Sequence, residues 1–345
     1  MTTGNVRFLT GHFPFIRDND SVRKMMWTTA AALAPLAAAS VWTYGLRAAW
    51  FIVSAVTAAC AAEWAAQGLR RRQVMAPPSD GSAFLTGLLL SLILPLQAPP
   101  WMPATGAVLA VGLGKQVFGG LGRNPLNPAL CGRFLLMLAF PAAFASDWLA
   151  PDGLTAASPL IRWRAAHTVL MRPESQSADR IADATMTLSR LIETLPGRFV
   201  AHPGSCPAET SALLILFGAG ILLYRRVIGW KIPIAGLLSS VLLFWAFGGT
   251  DGAFSGDPLL FLPNGAFLFM LFFMATDPVT SPVRPIDRWL FGAGFGSLTV
   301  LLRLWGPWPE GAGIALLFIN AIHALLSRRK PTRPRSNPDH SRGMP

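Results

Sequence analysis

The chain is written in long apolar blocks separated by short polar stretches. Predominantly apolar runs occupy residues 25–45, 48–66, 83–96, 106–120, 129–146, 211–224, 232–248, 258–276, 289–306 and 311–326. Several reach the roughly 20 residues that a helix needs to cross a hydrocarbon core of about 30 Å. Others are shorter or carry Gly and Pro, which a bundle tolerates as tilted or discontinuous segments. The pattern predicts ten crossings and an all-α polytopic membrane protein. The polar N-terminus runs straight into the first apolar block, so no cleavable signal peptide is expected.

The ten blocks divide into five and five. "GSAFLTGLLLSLILP" (Gly81 to Pro95) and "GAFLFMLFFMATDP" (Gly265 to Pro278) share a Gly start, an Ala-Phe-Leu, an apolar run and a Pro stop. Each is the third block of its half. Five being odd, two such halves would lie upside down relative to each other, an arrangement that places ligands near the repeat interface. Apolar helices also resemble one another by composition alone, which leaves the repeat open at this stage. The expected organisation is a cytoplasmic N-terminus over 1–24, a first five-helix repeat over 25–146 and an extracytoplasmic loop over 147–210. A second five-helix repeat over 211–327 and a basic, disordered cytoplasmic tail over 328–345 complete it.

Composition agrees with the pattern. Hydrophobic residues make up 52% and charged residues 13%, against about 25% charged in soluble domains. The net charge of +12 follows the positive-inside rule. With both termini in the cytoplasm, 21 of the 29 Lys and Arg fall on the inner side, and six of the remainder lie in the long 147–210 loop, where charge votes weakly. These charges are scattered among short loops, so no nucleic-acid partner is expected. Cys60, Cys131 and Cys206 form no CxxC and no cluster with metal-ligand spacing, so no metal or iron–sulfur site is expected.

Several stretches carry candidate chemistry. "FGAGFGSL", with Gly292, Gly294 and Gly296, lies inside an apolar block with no preceding strand, so it reads as close helix packing. "GKQVFGGLGRNPLNPALCGR" brackets Gly119 and Gly120 with Lys115 and Arg123, and adds Asn124 and Asn127 at two Asn-Pro steps. Gly pairs let backbone approach a ligand, and N–H groups at the next helix start favour anions or polar ring edges. An ordinary turn between helices is the alternative. In "FFMATDPVTSP", Asp277 ends an apolar run beside Thr276, Thr280 and Ser281, and can coordinate a cation, pair with Arg284 or cap a helix. Glu63 carries the same ambiguity, while Asn320 and His323 are expected to face the bundle interior. Helical spacing in "ADRIADATMTLSRLIETL" predicts a helix within the 147–210 loop.

Five of these stretches, in order, resemble one family. "DGSAFLTGLLLSLILP", "GKQVFGGLGRNPLNPAL", "ETSALLILFGAGILL" followed by "GWKIP", "GAFLFMLFFMATDPVTSP" and "PEGAGIALLFINA" cover roughly residues 75–325. They are similar to the D subunit of the Rnf ion-translocating electron-transport complex, a family homologous to the B subunit of the sodium-translocating NADH:quinone reductase. The resemblance implies an inverted ten-helix bundle in the bacterial inner membrane, with the A, B, C, E and G members of the complex as partners. It also implies FMN attached through its phosphate, on the outer side, to a hydroxyl placed there by a flavin transferase. The family motif is Ser-Gly-Ala-Thr-Pro-Leu-like; here the matching run is Thr155-Ala156-Ala157-Ser158-Pro159-Leu160, with Asp152 upstream. Ser158 stands for the acceptor threonine and Ala156 for a glycine, so the phosphoester oxygen is kept while the fit to the transferase changes. Electrons would pass from this FMN to a second, noncovalent flavin (riboflavin) or a quinone, for which Gly119, Gly120, Asn124, Asn127, Asp277 and Thr280 are the candidate residues. Na⁺ or H⁺ translocation would be coupled to that transfer, with Glu63 and Asp277 as candidate contributors. A non-redox channel or scaffold that has lost the covalent flavin is the competing reading.

Overall fold

The computed structural model describes residues 21–69, 80–145, 148–149, 155–156, 159–172, 174, 176–200, 206–250, 252–306 and 311–328. Asp152, Ser158, the Arg70–Arg72 loop, the N-terminal segment and the basic tail fall outside them. The described chain is helical, with one two-residue strand pair.

Most apolar blocks are helices, and their ends have local causes. Helix α1 (Val22–Tyr44) starts where the Ser21 side chain accepts the Lys24 N–H at 3.2 Å, satisfying one of the four orphan donors of a helix start. It stops at Gly45, whose φ of +66° turns the chain directly into α2 (Leu46–Leu69). Helix α3 (Ser82–Ile93) follows Gly81 at φ +75°, and there Asp80 accepts from the Ser82 N–H and O–H. Helix α4 (Met102–Val111) runs on into a π-helical turn, Gly112–Gln116, and α5 (Pro128–Ala139) is capped by Asn127. The second half runs through α10 (Ala212–Tyr224), α11 (Lys231–Phe247), α14 (Pro285–Leu304) and α15 (Ala312–Arg328).

The block expected as one helix over 258–276 is broken. A short α12 (Pro258–Phe261) ends, the chain passes through Gly265 and Ala266 at positive φ, and α13 (Phe267–Phe269) leads into a second π-helical turn, Met270–Met274. The break exposes backbone carbonyls inside the bundle, and one side chain answers them. Arg303, on the last turn of α14 and fully buried, donates to the carbonyls of Phe261 at 3.0 Å, Asn264 at 2.7 Å and Gly265 at 3.2 Å. Its guanidinium also lies 4.3 Å over the Phe261 ring. Irregular backbone buried inside a bundle is tolerated only when its polar groups are satisfied within the protein.

The packing repeats between halves. In the first, α2 lies against α3 and α4, and α4 against α5; in the second, α11 runs along α14 and α14 against α15. The halves meet where α1 packs on α10 and α5 on α15, first helix with first and last with last. The α11–α14 contact is as close as backbone allows: a Cβ at Gly292 would collide with the Ile232 carbonyl oxygen, and one at Gly296 with that of Gly236. That bears out the packing role of "FGAGFGSL".

The segment between halves departs from an all-α expectation in one place. Strand β1 (Trp148–Leu149) pairs antiparallel with β2 (Thr155–Ala156), Trp148 opposite Ala156 and Leu149 opposite Thr155. Helix α7 (Pro159–Leu170) then packs on α8 (Ala178–Glu193), the helix expected from spacing, and α9 (Leu195–Val200) follows; α6 (Ala142–Ala145) is a single turn before the strands. Helix α7 is seated on the second half: Trp163 meets Phe244 at 5.2 Å, and the Arg164 guanidinium donates to the Gly306 carbonyl.

By length and composition, α1 and α2 are each able to cross a membrane; five further apolar helices are shorter, at 10–17 residues.

Candidate cofactor site

A cavity opens where the two halves meet. Its wall takes Met25, Met26 and Thr29 from α1, Ser82 and Thr86 from α3, and Lys115 from the first π-helical turn. Leu121, Asn124 and Asn127 come from the loop into α5; Leu222, Val227 and Ile228 come from the end of α10. Phe272 and Phe273 of the second π-helical turn, with Thr276, Asp277 and Val279 after it, close the far side. Both π-helical turns therefore border one cavity, and such insertions are frequent at functional sites. The enclosed space is about 40 Å³ and opens to the surface, which is room for about three waters. It suits the polar edge of a ring rather than a whole cofactor.

Its polar groups fall into two classes. Asn127 is engaged with the backbone: its Oδ1 accepts the N–H of Ala129 at 3.1 Å and of Leu130 at 3.4 Å, capping α5. Asp277 is engaged likewise, accepting the Val279 N–H on Oδ1 and the Thr280 hydroxyl on Oδ2, each at 3.3 Å. Asp277 thus closes its own turn; the residue before α14 is Arg284, so the helix-cap reading of Asp277 does not hold. Asn124 is different. Its Nδ2 donates to the Leu126 carbonyl at 3.1 Å, while its buried Oδ1 meets no donor among the described residues. Flipping the amide would set oxygen against oxygen at Leu126, so the geometry fixes which atom is left over. A buried acceptor without a partner costs about 1–3 kcal/mol, and on a cavity wall it can be met by a donor that enters the cavity.

The second open group is Lys115, fully buried on the first π-helical turn. Its Nζ donates to Ser82 Oγ at 2.7 Å and lies 3.1 Å from Glu63 Oε2. The Glu63 contact is an ion pair without hydrogen-bond alignment. Glu63 Oε1 accepts from Gln67 at 3.2 Å, and the Ser82 hydroxyl donates a hydrogen bond to Asp80 Oδ1 at 2.9 Å.

The structure gathers some candidates and separates others. Asn124, Asn127 and Asp277 share the cavity wall. Gly119 and Gly120, at φ +112° and +100°, form the turn after the π-helical segment and lie off the wall; Thr280 is buried behind Asp277, and Val279 takes its place. Neither the glycine pair nor Thr280 therefore lines this cavity. Asn320 is fully buried on α15, with neither amide atom partnered among the described residues, and His323 meets the Phe291 ring edge-on at 6.0 Å. Lys115 was visible in the sequence only as a basic neighbour of the glycines, and Ser82 not at all. Arg303 counted only as one outer charge, although a lone Arg in an apolar block is itself a signal.

Of the run Thr155–Leu160, Thr155 sits in β2 and Pro159 opens α7. Leu160 is buried: its Cδ2 and the Arg303 guanidinium crowd the same space at Gly265. Thr155–Ala156 are thus held in a strand pair, and the residues from Pro159 onward in a helix seated on the second half. On that helix His167 stacks on Trp163 at 4.9 Å, and burial lowers its imidazole below the ordinary range, a hydrogen bond with Gly249 opposing.

The chain is 35% identical to the D subunit of the proton-translocating ferredoxin:NAD(+) oxidoreductase complex of Clostridium ljungdahlii, covering 93% of this chain and 94% of the relative. It is 35% identical to the D subunit of the ion-translocating oxidoreductase complex of Stutzerimonas stutzeri, over 94% of each. To the D subunit of the Na(+)-translocating ferredoxin:NAD(+) oxidoreductase complex of Acetobacterium woodii it is 32% identical, over 91% of each. The model described as "NQR2, RnfD, RnfE family" matches residues 9–335, and the chain belongs to that family.

Proposed function

We propose that this chain is the D-type membrane component of an ion-translocating oxidoreductase complex of the Rnf kind. It works there as part of the assembly and not as a catalyst on its own. Relatives covered nearly end to end bear that name, one with H⁺ and one with Na⁺ as the translocated ion. The chain crosses the bacterial inner membrane ten times in two inverted halves, with both termini in the cytoplasm. The surface supports this: Trp42, Leu46, Trp64, Leu213 and Leu242 stand exposed along the helices, an apolar exterior of the kind that membrane contact covers.

Two flavins serve this role. FMN is carried on the outer side through a phosphoester on Ser158, with Asp152, Thr155 and Pro159 as the recognition run for a flavin transferase. The strand pair at Thr155–Ala156 and helix α7 from Pro159, seated on the second half, flank the proposed attachment point in sequence and support this reading. A noncovalent flavin sets its ring edge into the inner cavity. The observation that carries this is the Asn124 Oδ1, a buried acceptor without a donor. A flavin's pyrimidine edge offers acceptor, donor, acceptor, whereas a quinone ring offers acceptors only. Asn124 takes the donor, and Lys115, with a third N–H beyond Ser82 and Glu63, serves a neighbouring carbonyl. Phe272 and Phe273 exclude water, and Met25 and Met26 adapt to the ring. A bound flavin supplies one- and two-electron transfer; the protein fixes its place, orientation and potential.

The test is flavin released by denaturation from the purified full-length chain. Wild type is expected to release noncovalent flavin, and Asn124→Leu to release at most a tenth as much. Full release from Asn124→Leu, or quinone in place of flavin in the wild type, overturns the assignment of the cavity.

A further inference from the structure

Lys115 is an expensive residue to place where it is. An ammonium group taken out of water costs several kcal/mol unless it is paired and hydrogen-bonded, and a packing role would be met by Met or Leu. Its surroundings hold it without saturating it. Among the described residues, its three N–H groups have one aligned acceptor, Ser82 Oγ, and one charge partner, Glu63, that offers no aligned hydrogen bond. Behind them stands a second carboxylate, Asp80, reached through Ser82. The cluster thus holds one cation against two carboxylates at the wall of a cavity whose other open group is an acceptor. An uncharged ring edge leaves this balance as it is. A ring that gains negative charge changes it, because the cation then has a better partner in the cavity than the misaligned carboxylate.

We propose that Lys115 is the charge partner of the cavity ligand: it binds a carbonyl of the ring edge and favours the reduced, anionic ring, with Glu63 as the counterweight that limits this preference. The proposal rests on the flavin reading of the cavity. Glu63 and Lys115 then act on the ligand's potential in opposite directions. Removing the negative charge at Glu63 frees Lys115 toward the ring and raises the potential. Removing the cation leaves the carboxylates of Glu63 and Asp80, which stand behind the cavity wall, uncompensated and lowers it. A purely structural ion pair gives no such opposition, since loss of either partner would loosen the same site.

The experiment uses the full-length chain in detergent with Ser158→Ala throughout, so that noncovalent flavin is the flavin measured. Its amount is read by chromatography after denaturation, and its midpoint potential by spectroelectrochemical titration of the intact protein. In that background Glu63→Gln is expected to raise the potential and Lys115→Met to lower it. Each shift should reach about tenfold in the reduced-to-oxidised binding ratio, about 59 mV for one electron. If Lys115→Met does not accumulate as folded protein, Glu63→Gln, a near-isosteric change, still carries the test through its upward shift. Unchanged potential in Glu63→Gln, or shifts of the same sign in both variants, overturns the role of Lys115. Absence of noncovalent flavin from the Ser158→Ala parent itself overturns the flavin reading beneath it, a result that the amount measurement separates from the first.

Discussion

Arg303 is the residue whose loss should cost the fold most. It fills the break between α12 and α13 and donates to three carbonyls, at 2.7 to 3.2 Å, with its guanidinium 4.3 Å over Phe261. Arg303→Met keeps most of the volume and removes every donor. Each buried carbonyl left short costs about 1–3 kcal/mol, and a desolvated cation–π contact adds about 1–2 kcal/mol. Neighbouring losses overlap, so about 4–6 kcal/mol is expected in total. At about 2–4 °C per kcal/mol for sizeable domains, the apparent melting temperature in detergent should fall by roughly 10 °C or more. Arg303→Lys keeps the charge but not the planar fork, and should fall between. Arg47 is the internal control, since it donates to the Leu96 and Ala98 carbonyls from an exposed position. Water can replace it there, so Arg47→Met should cost about 1 kcal/mol. The assay is thermal denaturation of purified full-length protein followed by a thiol-reactive dye, with Cys206 as the buried reporter. Arg303→Met melting within about 2–3 °C of wild type, or no less stable than Arg47→Met, would refute the reasoning.

Other positions give independent tests. Gly296→Val drives a Cβ into the Gly236 carbonyl oxygen, so α11 and α14 must separate, at a cost of about 3 kcal/mol read as lost thermal stability; wild-type melting would sink the packing assignment. Asn127→Ala should cost about 1 kcal/mol of stability through the lost α5 cap, while Asn124→Ala should mainly release noncovalent flavin; the reverse pattern would exchange their roles. Gly119→Ala meets both a φ of +112° and the Arg123 side chain at 2.9 Å. It should destabilise by about 1–2 kcal/mol without changing flavin content, because Gly119 lies off the cavity. His167 is held below its ordinary pKa by burial, so the folded state favours the neutral ring. Its contribution is complete above the unfolded value near 6.5 and is lost as pH falls below it. Acidification toward about pH 5 should therefore loosen α7, read as faster proteolysis between α7 and α8; His167→Gln should remove that pH dependence.

How much of this was legible beforehand depends on what carries the information. Apolar runs and their Gly, Pro and Asn boundaries are local, and most runs are helices within a few residues of their predicted ends, as with 48–66 against Leu46–Leu69. The spacing of "ADRIADATMTLSRLIE" likewise placed α8. What failed to show is non-local. Nothing in "PLLFLPNGAFLF" says that it breaks between α12 and α13, because the break is stabilised by Arg303, some forty residues on. The two π-helical turns leave no periodicity strong enough to read, and the two-residue strand pair is too short to give one. At the cavity the sequence pointed to two of the loops that line it but could not rank their members. Asn124 and Asn127 stand in the same Asn-Pro context, and only the folded geometry shows one capping a helix and the other holding an open acceptor.

The central claim is that this membrane component carries electrons on a flavin fixed to its outer face. It is tested most directly by flavin fluorescence of the denatured chain in a gel, after coexpression with its flavin transferase, comparing wild type, Ser158→Ala and Thr155→Ala. The account predicts a fluorescent band in the wild type and in Thr155→Ala, and none in Ser158→Ala. A dark wild-type band beside a labelled control protein would contradict it, and would move the chain toward a conduit or scaffold within its complex.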